Sequence, residues 1–368
     1  MIYLFPSAGL GSRLVNSGIK PPKPLVQVHG LELLLWSISS FTYKCDDSIV
    51  VVTLRSDNVK NLLNEKLSSL YPSQNIVWIE LDSLSSGQLD TCIIALSELK
   101  SVGTSDQPLV IHNCDSSFDG SFLANFYLES SFSGFIPYFN SLGDHWSFLE
   151  FDSSSSISRI VEKNRISNHC SIGTYSFISY LTFLSLYDDY VGSVEIKGEN
   201  YVAPFLDFLL SYNYTFKAVP APSPRIYGTL AELLDSFSIS FNVLIGENSS
   251  TAHQRRTFIF DIDKTISGPP SSCGDYSQCI PIDSVVDKLR LLSSSGAYII
   301  LFTARNIRTF KGNIGLINKH TAPVLLSWLS KYEIPYDEIY FGKPWGRNPL
   351  YIDDLALNPD SFINKPFL

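Results

Sequence analysis

The stretch SAGLGSRLVNSGIKPPKPL, from Ser7 to Leu25, directly follows the apolar run Met1 to Phe5, which has the composition of a β-strand. Its Gly-x-Gly turn lets backbone amides approach an anion without interference from a Cβ atom. Arg13 and Lys23 place two positive charges in the same loop. A strand followed by such a loop predicts a binding site for a polyphosphate.

Two familiar phosphate-binding loops fit this stretch poorly. The dinucleotide-binding turn of a Rossmann fold needs a third glycine that Gly9 to Leu14 lacks, and the prolines at positions 21, 22 and 24 prevent the long helix that should follow it. A Walker-type loop fits less well still, because no Gly-Lys-Ser or Gly-Lys-Thr sequence is present here.

Strand-like and helix-like segments alternate beyond the loop. Ser48 to Leu54 (SIVVVTL) is typical of a buried parallel strand, and Pro108 to Asn113 predicts another whose carboxyl end presents Asp115. Further segments predict a strand at 75–81, helices at 31–41, 58–70 and 90–99, and a hairpin at 146–161. This order indicates an α/β domain with a largely parallel sheet, whose ligands bind beyond the carboxyl ends of its strands.

Four short blocks resemble the sugar-phosphate nucleotidyltransferases, which join a nucleoside triphosphate to a sugar 1-phosphate or similar phosphorylated alcohol and release pyrophosphate. The first block is the glycine loop with its Pro-Lys-Pro-Leu end. The others follow in the family's order: Gly87-Gln88 with Thr91, His112-Asn113-Cys114-Asp115, and Glu162-Lys163 followed by Gly173-Thr174-Tyr175. The resemblance covers roughly residues 1 to 240.

This resemblance implies a site for each part of the reaction. Nucleotide contacts would come from Ala8, Gly9, Gly11, Ser12, Gly87 and Gln88. Asp115 would hold Mg²⁺. We hypothesise that Arg13 stabilises the leaving pyrophosphate, Lys23 the α-phosphate and Lys163 the attacking phosphate. Such cations are needed because two polyanions must meet, and unit charges at about 4 Å interact by roughly 4 kcal/mol at an effective dielectric constant near 20.

The chain departs from the family at one position. A second metal-binding aspartate commonly stands two residues before a late Gly-Thr pair, and here Ile226 occupies that place before Gly228-Thr229. Either another oxygen ligand serves, or the metal is held by Asp115 and the nucleotide phosphates alone.

A polar segment, GENSSTAHQRRT, separates this half of the chain from a second one. We expect domains at 1–246 and 257–368 with a linker at 247–256. The second domain opens with FIFDIDKT (Phe258 to Thr265), an apolar strand ending in Asp-x-Asp-x-Thr, which is similar to the nucleophile strand of the haloacid dehalogenase superfamily. Later motifs of that superfamily follow in order: Thr303-Ala304-Arg305, Gly342-Lys343-Pro344 and Asp353-Asp354.

This second resemblance implies a phosphatase. Asp261 would attack phosphorus to form an aspartyl phosphate, and Asp263 would protonate the leaving alkoxide and then activate water. Thr303 and Lys343 would hold the transferring phosphoryl group. The Mg²⁺ of this second site would take oxygen ligands from Asp261, Asp353, Asp354 and the backbone carbonyl of Asp263.

The expected fold class is α/β, with two Rossmann-like three-layer domains. The first is a nucleotidyltransferase fold. The second is a haloacid dehalogenase fold with a small cap or none, because little sequence separates Thr265 from Thr303.

Composition narrows the choice of partners. The chain has 368 residues and a formal net charge of -9, which disfavours a nucleic-acid duplex or a membrane surface. No apolar run approaches the roughly 20 residues of a membrane span, and no signal peptide is recognisable. Six scattered cysteines fit a reducing cytoplasm. We expect a cytoplasmic protein that binds nucleoside triphosphates and phosphorylated small molecules. The sequence leaves the oligomeric state open, and a homo-oligomer is one of the alternatives.

Together these features predict a bifunctional, Mg²⁺-dependent enzyme of capsule or other surface polysaccharide precursor synthesis, with nucleotidyltransferase and phosphatase activities. Two alternatives remain. The phosphatase motifs also resemble, more distantly, those of nucleic-acid end-processing enzymes, although the acidic balance argues against a nucleic-acid groove. The missing aspartate at position 226 would suit a nucleotide-sensing domain that regulates the phosphatase.

Overall fold

The computed structural model describes residues 1–125, 131–196, 198–245, 257–269, 276–294, 297–344 and 357–364. The chain divides into two compact units, Met1–Gln27 with Glu32–Ile245, and Val28–Leu31 with Gly246–Leu368. The linker predicted at 247–256 lies outside the described residues. Within those described ranges, no helix is both long and apolar enough to cross a membrane.

The strands up to residue 245 are β1 (Ile2–Pro6), β2 (Gln27–Val28), β3 (Leu31–Glu32), β4 (Ser48–Leu54), β5 (Asn75–Leu81), β6 (Leu109–His112), β7 (Ser116–Ser117), β8 (Gly134–Asn140), β9 (Ser147–Phe151), β10 (Ile157–Glu162), β11 (His169–Ser171), β12 (Thr174–Phe177), β13 (Phe216–Pro220) and β14 (Arg225–Ile226). The α-helices of the same region are α1 (Ser12–Val15), α2 (Leu33–Ile38), α3 (Val59–Leu70), α4 (Gln88–Ser101), α5 (Tyr180–Ser193), α6 (Val202–Ser211), α7 (Leu230–Ser236) and α8 (Phe241–Leu244).

The main sheet of the larger unit has the strand order β12-β6-β1-β4-β5. Strands β6, β1, β4 and β5 are parallel, and β12 is antiparallel to β6. The chain adds β4 and β5 on one side of β1 and then returns with β6 on the other side. The strand order therefore reverses between β1 and β6, which is where open α/β sheets bind their ligands.

The predicted strands match the structure more closely than the predicted helix at 31–41 does. The strands predicted at 48–54 and 75–81 agree residue for residue with β4 and β5. The helix predicted from Leu31 begins only at Leu33 and ends at Ile38, because Leu31 and Glu32 form the short strand β3. All six residues of α2 are buried, and buried apolar residues continue beyond both of its ends. The apolar pattern therefore cannot mark where the helix begins and ends.

A second five-stranded sheet in this unit has the order β10-β9-β11-β8-β13. Its strands β9 and β10 form the predicted antiparallel hairpin. The Asp152 carboxylate accepts backbone N–H groups of Ser154 and Ser156 at 2.8 and 3.0 Å and so shapes the hairpin turn. This hairpin positions Lys163, which directly follows β10.

The smaller unit contains the strands β15 (Thr257–Phe260), β16 (Tyr298–Thr303) and β17 (Glu338–Phe341), and the helices α9 (Asp283–Ser294), α10 (Ile314–His320), α11 (Ala322–Lys331) and α12 (Pro359–Asn364). Its strands are parallel in the order β15-β16-β17. Their carboxyl ends therefore lie at one edge of the sheet. The predicted mixed α/β class with parallel sheets is confirmed, whereas the haloacid dehalogenase fold remains a prediction.

Candidate active site

A cleft of about 490 Å³ opens at the switch point of the main sheet, where the loop after β1 meets the loop after β6. Every site residue predicted for the first half of the chain lines this cleft: Ala8, Gly9, Gly11, Ser12, Arg13, Lys23, Gly87, Gln88, Asp115 and Lys163. The structure thus brings together residues that are up to 155 positions apart.

The two glycines of the first loop serve different purposes. Gly11 has a φ of +60°, and a Cβ atom there would lie 2.9 Å from the Cβ of Lys23. It therefore needs to be glycine both for its left-handed backbone and for the close approach of the lysine. A Cβ atom at Gly9 would meet nothing within 4 Å, so this residue leaves open space at the cleft wall.

The Lys23 side chain reaches the segment that follows β6. It begins a short 3₁₀ turn, Lys23–Leu25, and its Nζ donates to Asp115 Oδ2 at 2.7 Å. Burial alone would raise the pKa of Asp115, but the Lys23 cation and the more distant Arg13 outweigh burial, so the pKa is lowered. Asp115 is therefore a carboxylate at neutral pH.

A second carboxylate lies beside Asp115. A Cβ atom added to Gly228 would be 3.3 Å from Asp115 Oδ2, 3.4 Å from Glu232 Oε2 and 3.5 Å from an Arg13 guanidinium nitrogen. The absence of a side chain at Gly228 thus leaves a small space bounded by two carboxylates. Ile226 provides no ligand, and Glu232 occupies a place from which it could serve instead.

Helix α7 fixes the Glu232 side chain. Its N-cap residue is Thr229, whose hydroxyl accepts the Glu232 N–H while Glu232 Oε2 accepts the Thr229 N–H at 2.8 Å. The other oxygen, Oε1, lies 2.9 Å from His145 Nε2. This reciprocal capping arrangement follows the Thr-x-x-Glu pattern of a capping box. The pattern was the available sequence signal for Glu232, which our sequence analysis missed.

Buried groups hold the Asp115 loop in place. His112 is fully buried, with Nδ1 2.7 Å from Thr174 Oγ1 and Nε2 2.9 Å from the Ser116 carbonyl oxygen. Burial lowers the pKa of His112 to about 4, so the ring is neutral, and the carbonyl partner requires its proton on Nε2. The Tyr227 N–H donates to the Asp115 carbonyl oxygen at 2.9 Å. His112 is a structural residue.

The Gly87-Gln88 turn lies at the start of α4. A Cβ atom at Gly87 would be 2.3 Å from the backbone nitrogen of Asn200, so only glycine allows this approach. The adjacent Leu89 N–H donates to the Asn200 carbonyl oxygen at 2.8 Å, and the Gln88 side-chain amide contacts Asn113. These contacts hold the turn at the wall of the cleft.

Another part of the cleft wall combines a cation with aromatic and acidic groups. Lys163 Nζ contacts the Tyr201 hydroxyl and lies 4.1 Å from the centre of its ring. The same hydroxyl donates to Glu199, and Trp146, whose carbonyl oxygen accepts the Lys163 N–H at 2.8 Å, also lines the cleft. Burial raises the pKa of Glu162, partly offset by the Ser147 hydroxyl that donates to it. Such a surface can bind a phosphate and neighbouring hydroxyl groups.

The smaller unit assembles its own polar cluster at the carboxyl ends of β15, β16 and β17. Lys343 Nζ donates to Asp261 Oδ2 at 2.6 Å, and Arg305 Nε donates to Asp263 Oδ1 at 2.8 Å. Thr303 is buried, and its carbonyl oxygen accepts the Lys343 N–H at 3.0 Å. Burial and the Asp261 charge raise the pKa of Asp263 despite the opposing effect of Arg305.

Two predicted metal ligands of this cluster, Asp353 and Asp354, lie outside the described residues. Among the residues that are described, no group of three or more His, Cys, Asp or Glu side chains is arranged to hold a metal ion. Mg²⁺ usually retains several waters and takes one or two protein carboxylates together with substrate phosphates. The Asp115 and Glu232 pair fits that requirement.

Comparison with solved structures shows which fold the chain shares. Over about 65% of its length, the chain has the fold of structures named as a pyrophosphorylase and a thymidylyltransferase. A nucleoside-diphosphate-sugar pyrophosphorylase from Vibrio cholerae RC9 matches with a TM-score of 0.58 and 24% identity, covering 65% of this chain and 100% of that one. A protein named as a glucose-1-phosphate thymidylyltransferase from Bacillus anthracis matches with a TM-score of 0.51 and 14% identity, covering 64% and 93%.

A further match has higher identity but little overlap. A structural-genomics target from Vibrio cholerae without a stated activity is 42% identical, and 29% of this chain and 87% of that one are covered. Its TM-score of 0.28 supports no argument about the fold. No protein-family model matches the chain, and no curated protein does.

Proposed function

We propose that the larger unit transfers a nucleotidyl group from a nucleoside triphosphate to a sugar phosphate or phosphorylated alcohol. The observation that supports this most is the Lys23 to Asp115 pair, which places a cation and an anion at the switch point of a nucleotidyltransferase fold. Arg13 and Lys163 line the same cleft. The cleft therefore holds three cations where two polyanions must meet.

The reaction would proceed by direct displacement. A phosphate oxygen of the acceptor attacks the α-phosphorus of the triphosphate, the bond from the α-phosphorus to the bridging oxygen breaks, and pyrophosphate leaves with the electron pair. Lys163 orients the attacking phosphate, Lys23 stabilises charge on the α-phosphate, and Arg13 stabilises the leaving pyrophosphate. Positioning and charge neutralisation supply most of the catalysis in such reactions.

Asp115 and Glu232 are the residues that would hold Mg²⁺. The ion, when bound, would neutralise phosphate charge and help to align the triphosphate. Lys23 neutralises Asp115 in the structure, and a bound triphosphate offers Lys23 an alternative partner. Glu232 thus replaces the aspartate that is missing at position 226.

A second activity, phosphomonoester hydrolysis, is proposed for the smaller unit. Asp261 Oδ2 would attack phosphorus and form an aspartyl phosphate, which water then hydrolyses to regenerate Asp261 and release phosphate. Asp263 would donate a proton to the leaving alkoxide oxygen and later accept one from water. Its raised pKa favours the protonated form that the first step needs. Asp353 and Asp354 remain proposed Mg²⁺ ligands here.

The two activities suit the synthesis of activated precursors for a capsule or other surface polysaccharide. The smaller unit would convert a bisphosphate to a monophosphate, and the larger unit would then activate that monophosphate. Both substrates are small phosphorylated molecules, which fits the acidic chain better than a nucleic acid does.

The experiment is pyrophosphate release from a panel of triphosphates, each with a panel of phosphorylated sugars and polyols. We expect one pairing to stand out, and Asp115→Asn to abolish its turnover. Asp261→Asn should abolish phosphate release and leave pyrophosphate release from a ready-made monophosphate intact. Triphosphate binding without turnover on every acceptor would instead indicate a nucleotide sensor, and loss of both activities in Asp261→Asn would contradict the division of labour.

A further inference from the structure

The loop of residues 141–146 connects β8 to β9, and two of its residues, His145 and Trp146, line the cleft of the larger unit. The reaction proposed above gives His145 no role. The two residues nevertheless contact residues that the reaction uses. His145 Nε2 lies 2.9 Å from Glu232 Oε1, and the Trp146 carbonyl oxygen accepts the Lys163 N–H at 2.8 Å. The loop therefore touches both the proposed metal ligand and the proposed acceptor lysine.

Arg165 holds this loop in shape. Its Nε donates to the Asp144 carboxylate at 2.8 Å, Nη1 donates to the Ser141 carbonyl oxygen at 3.2 Å, and Nη2 donates to the Gly143 carbonyl oxygen. The central carbon of the guanidinium lies 5.0 Å from the ring centre of Phe148, a fully buried residue of β9. The loop is therefore anchored to the second sheet of the larger unit.

The hydrogen bond between His145 and Glu232 has a defined direction. A carboxylate oxygen only accepts hydrogen bonds, so the proton between the two residues belongs to His145 Nε2. The Trp146 ring packs beside the imidazole, with 4.1 Å between the ring centres. The other Glu232 oxygen, Oε2, accepts the Thr229 N–H at 2.8 Å. His145 and Thr229 thus hold one oxygen each, and together they fix the plane of the carboxylate.

We propose that His145 is a positioning residue that holds the Glu232 carboxylate in place for Mg²⁺. This inference rests on the proposed function, in which Asp115 and Glu232 hold the ion. A side chain that is already ordered loses less conformational freedom when it binds a ligand. Groups that hydrogen-bond to a metal ligand typically change metal affinity by about 10- to 100-fold. The effect of His145 on the metal therefore passes through Glu232.

The test uses the full chain and Mn²⁺ alone, with the unbound ion followed by electron paramagnetic resonance. Binding is assigned to the larger unit by its loss in Asp115→Asn. His145→Phe keeps a ring beside Trp146 but has no N–H to donate, whereas His145→Gln keeps a donor. Because the His145 side chain is 44% exposed, neither change opens a cavity, and the denaturation midpoint in EDTA should stay the same.

We expect His145→Phe to weaken Mn²⁺ binding at this site about tenfold and His145→Gln to bind nearly as the unmodified chain does. His169→Phe is the matched control, because His169 belongs to β11 and does not line the cleft. This control should leave the affinity unchanged. Equal affinities in the Phe and Gln variants of His145, or a tenfold loss in His169→Phe as well, would overturn the proposal.

A double variant separates positioning from a general structural effect. If His145 acts through Glu232, then His145→Phe should cause no further loss of Mn²⁺ affinity in a chain that already carries Glu232→Gln. Additive losses would overturn the proposal. Failure of the proposed function gives a different result, because unchanged Mn²⁺ binding in Asp115→Asn removes the metal site itself. Weaker binding in Asp115→Asn with none lost in His145→Phe removes only the role of His145.

Discussion

Lys23 Nζ lies 2.7 Å from Asp115 Oδ2, although 92 residues separate the two in sequence. The contact depends on Gly11, since any side chain there would collide with Lys23. It also depends on the reversal of strand order that puts β1 next to β6. Two separate features of the fold thus converge on one ion pair.

Replacing Lys23 should lower turnover strongly. Lys23→Met removes the charge proposed to stabilise the α-phosphate, and loss of one such group typically lowers kcat by about 100-fold or more. The measurement is pyrophosphate release under saturating substrates. Lys20→Met is the matched control, because Lys20 belongs to the same loop but is exposed and does not line the cleft. Equal losses in both variants would show that net charge, and not the position of Lys23, matters.

The two glycines should respond differently to alanine. Gly11→Ala forces a side chain into a left-handed backbone and against Lys23, which should lower the free energy of unfolding by about 1 to 3 kcal/mol. Gly9→Ala should leave stability nearly unchanged, because open space surrounds its Cβ position, yet it should weaken triphosphate binding. Chemical denaturation and calorimetric titration with a triphosphate measure the two effects. A destabilised Gly9→Ala would contradict this assignment.

Local pattern predicted the strands of the main sheet well. Strand β4 is buried along almost its whole length, so an uninterrupted run of Ile and Val identifies it without reference to its neighbours. The second sheet was predicted only as the hairpin β9 and β10. Its other strands, β8, β11 and β13, pair across long sequence separations, and β11 has only three residues. Local periodicity contains no information about such pairings.

The residues of the candidate site were likewise predicted only in part. Arg13, Lys23 and Asp115 were predicted because each belongs to a recognisable block at the end of a strand. Glu232 was missed because nothing in the order of the chain indicates that the first turn of α7 faces Asp115. Arg305 was noted as part of a motif, but only the structure shows that it is buried and paired with Asp263.

Glu232 should therefore be tested as a metal ligand. Glu232→Gln keeps the hydrogen bonds of the helix cap, since glutamine also completes a capping box, and stability should change little. Loss of the carboxylate should lower the affinity for Mn²⁺, measured by electron paramagnetic resonance with a triphosphate analogue, by about 10- to 100-fold. Asp235→Asn, at an exposed position of the same helix, removes an equal charge as a control. Unchanged Mn²⁺ affinity in Glu232→Gln would show that Asp115 and the phosphates suffice, without excluding nucleotidyl transfer.

His112 should make the stability of the larger unit fall in mild acid. Its pKa is lowered by burial from the usual 6.5 to about 4, so between these values the unfolded chain binds a proton that the folded chain does not. Stability from this residue is therefore fully present above pH 6.5 and is lost as the pH falls towards 4, by up to roughly 3 kcal/mol at about 1.4 kcal/mol per pKa unit. Denaturation midpoints measured at intervals from pH 7 to pH 4 give the slope. His112→Gln should be less stable at pH 7, because a buried ring is lost, yet show a smaller decline with acid. A variant that declines as steeply as the unmodified chain would assign the acid sensitivity to other groups.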